Sequence, residues 1–139
     1  MPNGNGSPVR TRLKRRVDLR IDEPALSTNK LYSGRKRRSY HYKAFRKKVF
    51  NELHRQLNGH TYKLNGNLKL EMTVGFSSSL SDLSNSIKGI EDVLTEYLGF
   101  NDRQIVSIEL NKVLVNKGDE FMDITIRKIN RNIDLRKKI

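Results

Sequence analysis

The sequence predicts an α+β domain in which two main helices pack on a small mixed β-sheet. The chain has 139 residues, a length typical of one domain with one hydrophobic core. Apolar residues alternate with polar ones in four short segments, as they do in half-buried strands. In two longer segments they recur every three or four residues, which is the spacing of one helix face. The predicted order is strand, helix, strand, helix, strand, strand.

The first strand and the first helix are predicted within residues 16–57. Residues 16–22, with the sequence RVDLRID, alternate apolar and charged side chains and therefore predict a strand. Residues 26–39 carry a run of basic side chains, too polar to bury, and are predicted to form an exposed loop. Apolar residues at four-residue spacing then predict an amphipathic helix over Tyr40–Leu57, which a following Asn-Gly pair ends.

The remaining four elements are predicted beyond residue 67. Residues 68–76 alternate strictly and are the clearest strand of the sequence. A second helix follows, with a Ser-Asp pair at residues 81–82 suited to cap its start and Gly99 suited to end it. Two more alternating segments, separated by an Asn-Lys-Gly-Asp turn signal, are predicted to pair as a hairpin of residues 106–110 and 122–126.

The two ends of the chain lack such patterns. Residues 1–14 and 129–139 are predicted to be flexible basic tails, which leaves residues 15–128 as the folded domain. The N-terminus has no apolar signal segment, and no apolar stretch approaches the roughly 18 residues of a membrane span. We therefore expect a cytoplasmic protein without a membrane partner.

Charge is distributed unevenly along the chain. The formal net charge is +13, which predicts a polyanionic partner, and without a membrane signal nucleic acid is the better candidate. Residues 1–48 carry 15 Lys/Arg against three acids, whereas residues 71–110 carry seven acids against two bases. Carboxylates repel a nucleic acid unless they hold a divalent cation, so this separation favours a nuclease over a simple binding protein. An acidic, merely solubilising helix is the alternative interpretation.

Candidate metal ligands come from the acidic region. The chain has no cysteine, so a metal must be held by oxygen or imidazole ligands. Asp82 and Asp102 lie at predicted element ends, and magnesium needs only one or two carboxylates. Lys88 lies between acids on a polar sector of the second helix, where an ordinary salt bridge is the competing explanation.

The acidic region resembles a known family. Three segments carry the resemblance: DLSNSIK at residues 82–88, DVL at 92–94 and NDRQI at 101–105. In this order and spacing they are similar to the RusA-type Holliday junction resolvases, whose pattern is D-x-D-N-x-x-K-x-x-x-D-x-L followed by D-D-x-Q-V/I. Residues 27–32, STNKLY, resemble the family's S-x-N-x-x-Y entry, and the likeness extends over residues 16–128.

The resemblance implies a function and a site. Family members are homodimers that use magnesium, with manganese as a possible substitute, to nick four-way DNA junctions in bacterial or phage-infected cells; no small-molecule substrate is implied. Transferred position by position, it makes Asp82 and Asp102 metal ligands and Lys88 a catalytic lysine. Asn85 and Asp92 match the remaining motif positions.

Two positions depart from the family pattern. Ser84 stands where the family has its second metal-binding Asp, and Asn101 replaces the first Asp of the D-D pair. Glu91, two helical turns beyond Ser84, is the hypothesised replacement ligand and catalytic carboxylate. The alternatives are a junction-binding protein with weakened catalysis and a basic RNA-binding protein without nuclease activity.

DNA contacts are predicted in the basic loop and on the first helix. Aromatic side chains among basic ones can stack on unpaired bases at a branch point. The predicted DNA-binding residues are Arg35, Lys36, Arg37, Arg38, Tyr40, Arg46 and Lys47.

Overall fold

The computed structural model describes residues 13–34, 37–58 and 60–136. Its order of main elements agrees with the predicted α+β fold. Both helices and the four longer strands lie where the periodicity places them, to within a few residues, because each has a continuous apolar face. The elements are β1 (Leu13–Lys14), β2 (Arg16–Ile21), α1 (Tyr40–Leu57), β3 (Thr61–Tyr62), β4 (Leu68–Phe76), α2 (Ile87–Leu98), β5 (Ile105–Leu114) and β6 (Phe121–Lys128).

The longer strands form one mixed sheet in the order β2-β6-β4-β5. β6 lies in the middle and runs antiparallel to both β2 and β4. β5 runs parallel to β4 along the sheet edge, with Phe76 opposite Leu114. Since β4, α2 and β5 follow one another, they form a strand-helix-strand unit with α2 as the crossover.

The predicted hairpin of residues 106–110 and 122–126 is wrong. β5 and β6 are not neighbours, because β4 lies between them. A helical crossover between β4 and β5 makes these strands parallel neighbours, and the other edge of β4 is then free for β6. The link after β5 passes over the end of β4, where Val115 N–H donates to Phe76 O (2.8 Å). A Cβ at Gly75 would lie 2.5 Å from the Phe121 ring and 3.3 Å from the Val115 side chain, so a larger residue here would force the Phe121 side chain to move.

Both helices contribute to one hydrophobic core on one face of the sheet. Alternate residues of β2, β4 and β6 point into it and are fully or almost fully buried, whereas the edge strand β5 adds only partly buried residues such as Leu110. The rings of Phe50 on α1 and Tyr97 on α2 meet edge to face, with centroids 5.1 Å apart. The opposite face carries charged pairs such as Arg127 with Glu71 (3.0 Å). The sheet is therefore covered on one side only, as the alternating patterns predict.

The sequence predicted that the whole loop of residues 26–39 is exposed, but part of it is buried. Leu31 is 1% exposed and belongs to the core. It packs beside Gly89 of α2, where an added Cβ would lie 3.4 Å from the Leu31 side chain. Ser39 is also buried and caps α1, because its Oγ accepts from Tyr42 N–H (3.0 Å). Residues 28–30, 32–34 and 37 have the predicted exposure.

The predicted tails are described in part. Leu13–Lys14 pair in parallel with Thr61–Tyr62 as a small second sheet. After β6, residues 129–136 contain no helix or strand, although Asn67 anchors them through Ile129 N–H and Arg131 O. Residues 1–12 and 137–139 lie outside the described residues, so the flexible tails stay a prediction. Among the helices of the described chain, none is long and apolar enough to span a membrane.

Candidate functional site

Asp82 organises the turn that leads into α2. It follows β4 by six residues and caps a 3-10 turn, Leu83–Ser86. Its Oδ1 accepts from Ser84 N–H (3.0 Å) and Ser84 Oγ (2.8 Å), and its Oδ2 accepts from Asn85 Nδ2 (3.3 Å). Asp82 is exposed, so its carboxylate can still reach solvent or a substrate. Three motif positions of the sequence thus meet in one turn, with Ser84 as a donor to Asp82.

A second cluster lies along α2. Lys88 Nζ contacts Asp92 Oδ1 (2.9 Å) and Glu91 Oε1 (3.8 Å). The nearby Asp92, Glu91 and Asp102 all favour the charged form of Lys88, and its hydrogen bond to Asp92 contributes most to raising its pKa. The ordinary salt bridge considered for Lys88 is therefore present. The structure also places Asp102 close enough for its charge to act on both Lys88 and Glu91.

Glu91 is a half-buried carboxylate of this cluster. Its side chain is only 15% exposed. Burial raises its pKa, and the negative charges of Asp102 and Asp92 raise it further against the opposing effect of Lys88. A half-buried carboxylate repelled by its neighbours would be stabilised by an added cation. This is the electrostatic situation expected of a metal ligand.

Asp92 connects α2 to the basic loop. Its Oδ2 accepts from Arg38 Nη2 at 2.8 Å, while its Oδ1 faces Lys88. The Arg38 guanidinium is held between the rings of Tyr32 and Tyr42, 4.7 and 4.2 Å from their centroids. The family's helix Asp therefore has a structural role here, because it fixes two cations. No sequence pattern indicated that Arg38 would be its partner.

Asn101 and Gln104 shape the turn that carries Asp102. Asn101 caps this turn through Arg103 N–H (2.9 Å), and Gln104 Oε1 accepts from Asn101 N–H (2.8 Å). Gln104 Nε2 also donates to the backbone oxygens of Leu64 and Gly66. Asparagine is a good cap, so the departure from the family's first Asp preserves the turn at this position.

The turn at Asp82 and the turn that carries Asp102 lie at opposite ends of the sheet. The end of β4, which leads to Asp82, is aligned with the end of β5, whereas Asp102 precedes the start of β5. No group of three or more His, Asp or Glu close enough to hold a metal occurs in the described part of the chain. The residues fit a magnesium ion that takes one or two carboxylates and completes its shell with water and substrate phosphate. They do not fit a dedicated protein cage.

A cleft of about 450 Å³ opens beside Asp82. No sequence pattern predicts this cleft, although the STNKLY segment contains two of its residues. Loop and strand ends converge here because the turns before α1 and α2 contact each other, and Thr28 Oγ1 donates to Asn85 O (3.0 Å). Its polar lining includes Ser27, Asn29, Ser77, Asp82, Asn85 and Glu120.

The predicted DNA-binding residues have different environments. Arg35 and Lys36 lie outside the described residues. Arg37, Tyr40 and Lys47 are exposed, as DNA contacts require. Arg46 pairs with Glu96 of α2, its Nε 2.9 Å from Oε1, and Arg38 is engaged by Asp92. These last two arginines therefore hold the basic region against α2.

The comparisons with known proteins agree with this arrangement. A search of curated proteins found no match. The family model described as Endodeoxyribonuclease RusA matches residues 23–127, which include both clusters, the cleft residues and the basic loop. Because the match covers most of the chain and carries the motif positions described above, the protein belongs to the RusA endodeoxyribonuclease family of Holliday junction resolvases.

Proposed function

We propose that this chain is a magnesium-dependent endonuclease that resolves branched DNA by paired nicking in recombination and repair. Family membership supports a nuclease that acts on DNA junctions. The observation that carries the metal-dependent part is the half-buried Glu91, whose pKa is raised by burial and by Asp102 and Asp92. Such a group is costly without a cation, which gives the site a reason to bind one.

The residues have distinct proposed roles. The proposed metal ligands are Asp102 with Glu91 and, at the other end of the sheet, Asp82, and each group supplies the one or two carboxylates that magnesium needs. A bound metal would supply an activated water and neutralise phosphate charge. Lys88 stays protonated, because Asp92 raises its pKa, and its ammonium can balance the charge that develops on the cleaved phosphate. Manganese, which takes similar oxygen ligands, could substitute for magnesium.

We also propose that the protein acts as a homodimer through the free edge of β5. A two-fold dimer matches a junction that offers two equivalent strands. β5 is a ten-residue edge strand with Ile108 and Leu114 exposed on the side that faces the core layer. Antiparallel pairing of two copies centred on Asn111 would place Ile108 of one copy opposite Leu114 of the other. Such pairing would remove an exposed strand edge, which soluble proteins usually protect.

The test is a nicking assay with a synthetic four-way junction, linear duplex DNA and hairpin RNA as substrates. We expect paired nicks in the junction with Mg²⁺ or Mn²⁺, and none with EDTA or in the other substrates. Tight junction binding without cleavage under any divalent metal would instead favour a binding protein, for which Ser84 in place of the family Asp is the specific structural reason. Preferential binding of the RNA would overturn the assignment of DNA as substrate.

A further inference from the structure

Leu80 is an exposed apolar side chain on a loop that is held in place. It is 93% exposed. A single exposed leucine needs no explanation by itself. Here, however, Lys112 Nζ of β5 donates to the backbone oxygens of both Ser79 (2.9 Å) and Ser81, the residues on either side of Leu80. Lys112 thus fixes the tip of the loop from a neighbouring strand.

The loop is also braced from within. Ser81 N–H donates to Ser78 O (3.2 Å), which closes a turn, and Leu80 N–H donates to Ser78 Oγ (3.2 Å). Hydrogen bonds to the backbone on both sides of Leu80 therefore hold this residue where its side chain is exposed to solvent. A loop selected only for solubility would not need a leucine at this position.

Leu80 lies beside the proposed cutting site. It precedes Asp82 by two residues, and both line the cleft of about 450 Å³. Phe76 provides an aromatic wall of the same cleft, and Asn29 and Asn85 provide amide groups that can both donate and accept hydrogen bonds. The cleft is thus both apolar and hydrogen-bonding, which is typical of sites for small planar groups.

The charged side chains that line the cleft disfavour a phosphate as its occupant. Among the described residues, its lining includes two carboxylates, Asp82 and Glu120, and no Lys, Arg or His, while the nearby Lys112 ammonium is engaged by the backbone oxygens of Ser79 and Ser81. A hydrogen bond from its own backbone N–H contributes most to lowering the pKa of Glu120, and the hydrogen bonds from Ser77 Oγ and Gly118 N–H lower it further, which keeps it ionised. A phosphate would be repelled here, whereas an uncharged nucleobase would not. The cleft therefore fits the base of a nucleotide whose phosphate lies outside it, near the metal ligands.

We propose that Leu80 is a wedge that unstacks a base step next to the phosphate to be cut, and that the cleft receives the displaced base. Apolar side chains inserted between base steps are a known way to unstack and kink DNA. Unstacking is easiest where pairing is already interrupted, as at a branch point. Leu80 would thus be a substrate-contacting residue that helps to select branched DNA. This inference rests on the proposed junction nuclease.

The experiment uses a four-way junction with 2-aminopurine beside the nicked phosphate, and Ca²⁺ in place of Mg²⁺ to prevent cleavage. We expect the native protein to raise the fluorescence of 2-aminopurine, because the base is unstacked, and Leu80→Ala to abolish the rise. With Mg²⁺, Leu80→Ala should slow single-turnover nicking at least tenfold and change junction affinity less than threefold. Leu80→Met should restore both signals, and the control Leu135→Ala, at a leucine 87% exposed in the C-terminal segment, should match the native protein.

An abasic substrate provides a second measurement. If Leu80 acts by unstacking one base, removing that base should abolish most of the nicking defect of Leu80→Ala. Native-like fluorescence and nicking in Leu80→Ala, or an equal defect on the abasic junction, would overturn the wedge. Cleavage without any fluorescence change in the native protein would contradict the role of Leu80 as a wedge and would leave the proposed nuclease activity unaffected. Fluorescence that rises without cleavage under any metal would support the wedge and contradict the nuclease.

Discussion

The guanidinium of Arg38 and the carboxylate of Asp92, 2.8 Å apart, join the basic loop before α1 to the helix that carries Lys88 and Glu91. Asp92 is 15% exposed, and the pair is therefore less screened than a surface ion pair. The same carboxylate also contacts Lys88 at 2.9 Å. One largely buried acid thus fixes both the basic loop and the proposed catalytic lysine.

The first prediction concerns the strength of this pair. In a double-mutant cycle of Arg38→Gln and Asp92→Asn, we expect a coupling free energy of about 1–2 kcal/mol in urea unfolding, because both groups are partly desolvated. The matched control is Arg55 with Glu52, which lies on the surface of α1. There the coupling should stay below about 1 kcal/mol. Equal coupling in both cycles would show that Arg38 and Asp92 are an ordinary surface pair.

Local patterns predicted the elements well and their partners poorly. Each helix and longer strand has its own periodicity, which follows from burial of one face. Strand pairing depends on which strand occupies the second edge of β4. That strand, β6, lies about fifty residues further along the chain. Leu31 was missed because its buried position depends on Gly89, far along the chain.

The sequence predicted the residues of the candidate site but not their geometry. The motif identified Asp82, Lys88 and Asp102, and the structure places the latter two together beside Glu91. The environments of Arg38 and Arg46 could not be predicted, because a basic residue in sequence carries no sign of its acidic partner. The cleft beside Asp82 arises only when two loops meet.

The second prediction tests the metal ligands. Asp82→Asn and Asp102→Asn should each reduce magnesium-dependent nicking of a junction by at least a hundredfold, while junction binding stays equal or becomes slightly tighter. Removing negative charge cannot weaken attraction to a polyanion. Asn also remains a good cap, so the turn at Asp82 should persist. Asp22→Asn, at an exposed carboxylate, is the control and should cut normally; full activity in either site variant would refute the assignment.

The third prediction uses stability to examine Glu91. Because the pKa of Glu91 is raised in the folded state, its ionised form opposes folding, and stability falls as pH rises through the interval between its unfolded and folded pKa. Glu91→Gln should therefore increase the melting temperature at neutral pH in EDTA. If Glu91 is a ligand, the same variant should lose most of the further increase that magnesium confers. An unchanged response to magnesium would identify Glu91 as only a partner of Lys88.

The fourth prediction concerns the serine at the family's Asp position. Ser84 Oγ donates to Asp82 Oδ1 at 2.8 Å, so an Asp at position 84 would add a carboxylate beside Asp82. Ser84→Asp should lower the magnesium concentration needed for half-maximal nicking and restore much of the activity lost in Glu91→Gln. Ser84→Ala, which removes the hydroxyl without adding charge, is the control. If Ser84→Asp needs as much magnesium as the native chain, position 84 does not lie at the metal.

The fifth prediction addresses the basic loop and salt. Each phosphate contact contributes roughly −0.9 to the slope of log affinity against log salt concentration. Changing Arg35, Lys36 and Arg37 to Glu should weaken junction binding and make this slope less steep by about one to three. Arg55→Glu, on the acidic side of α1 near Asp22 and Glu52, should leave the slope unchanged. An unaltered slope in the loop variant would mean that DNA is held elsewhere.

The position of β6 has a consequence for how the nuclease is made. β6 is synthesised after the other strands of the sheet, yet it lies between β2 and β4 and pairs with residues more than a hundred positions earlier. Such distant pairing makes folding slow and dependent on nearly the whole chain. Until Lys128 has left the ribosome, β2 has no partner in the sheet and the core remains open. A chain still in synthesis therefore cannot complete the fold that supports the candidate site.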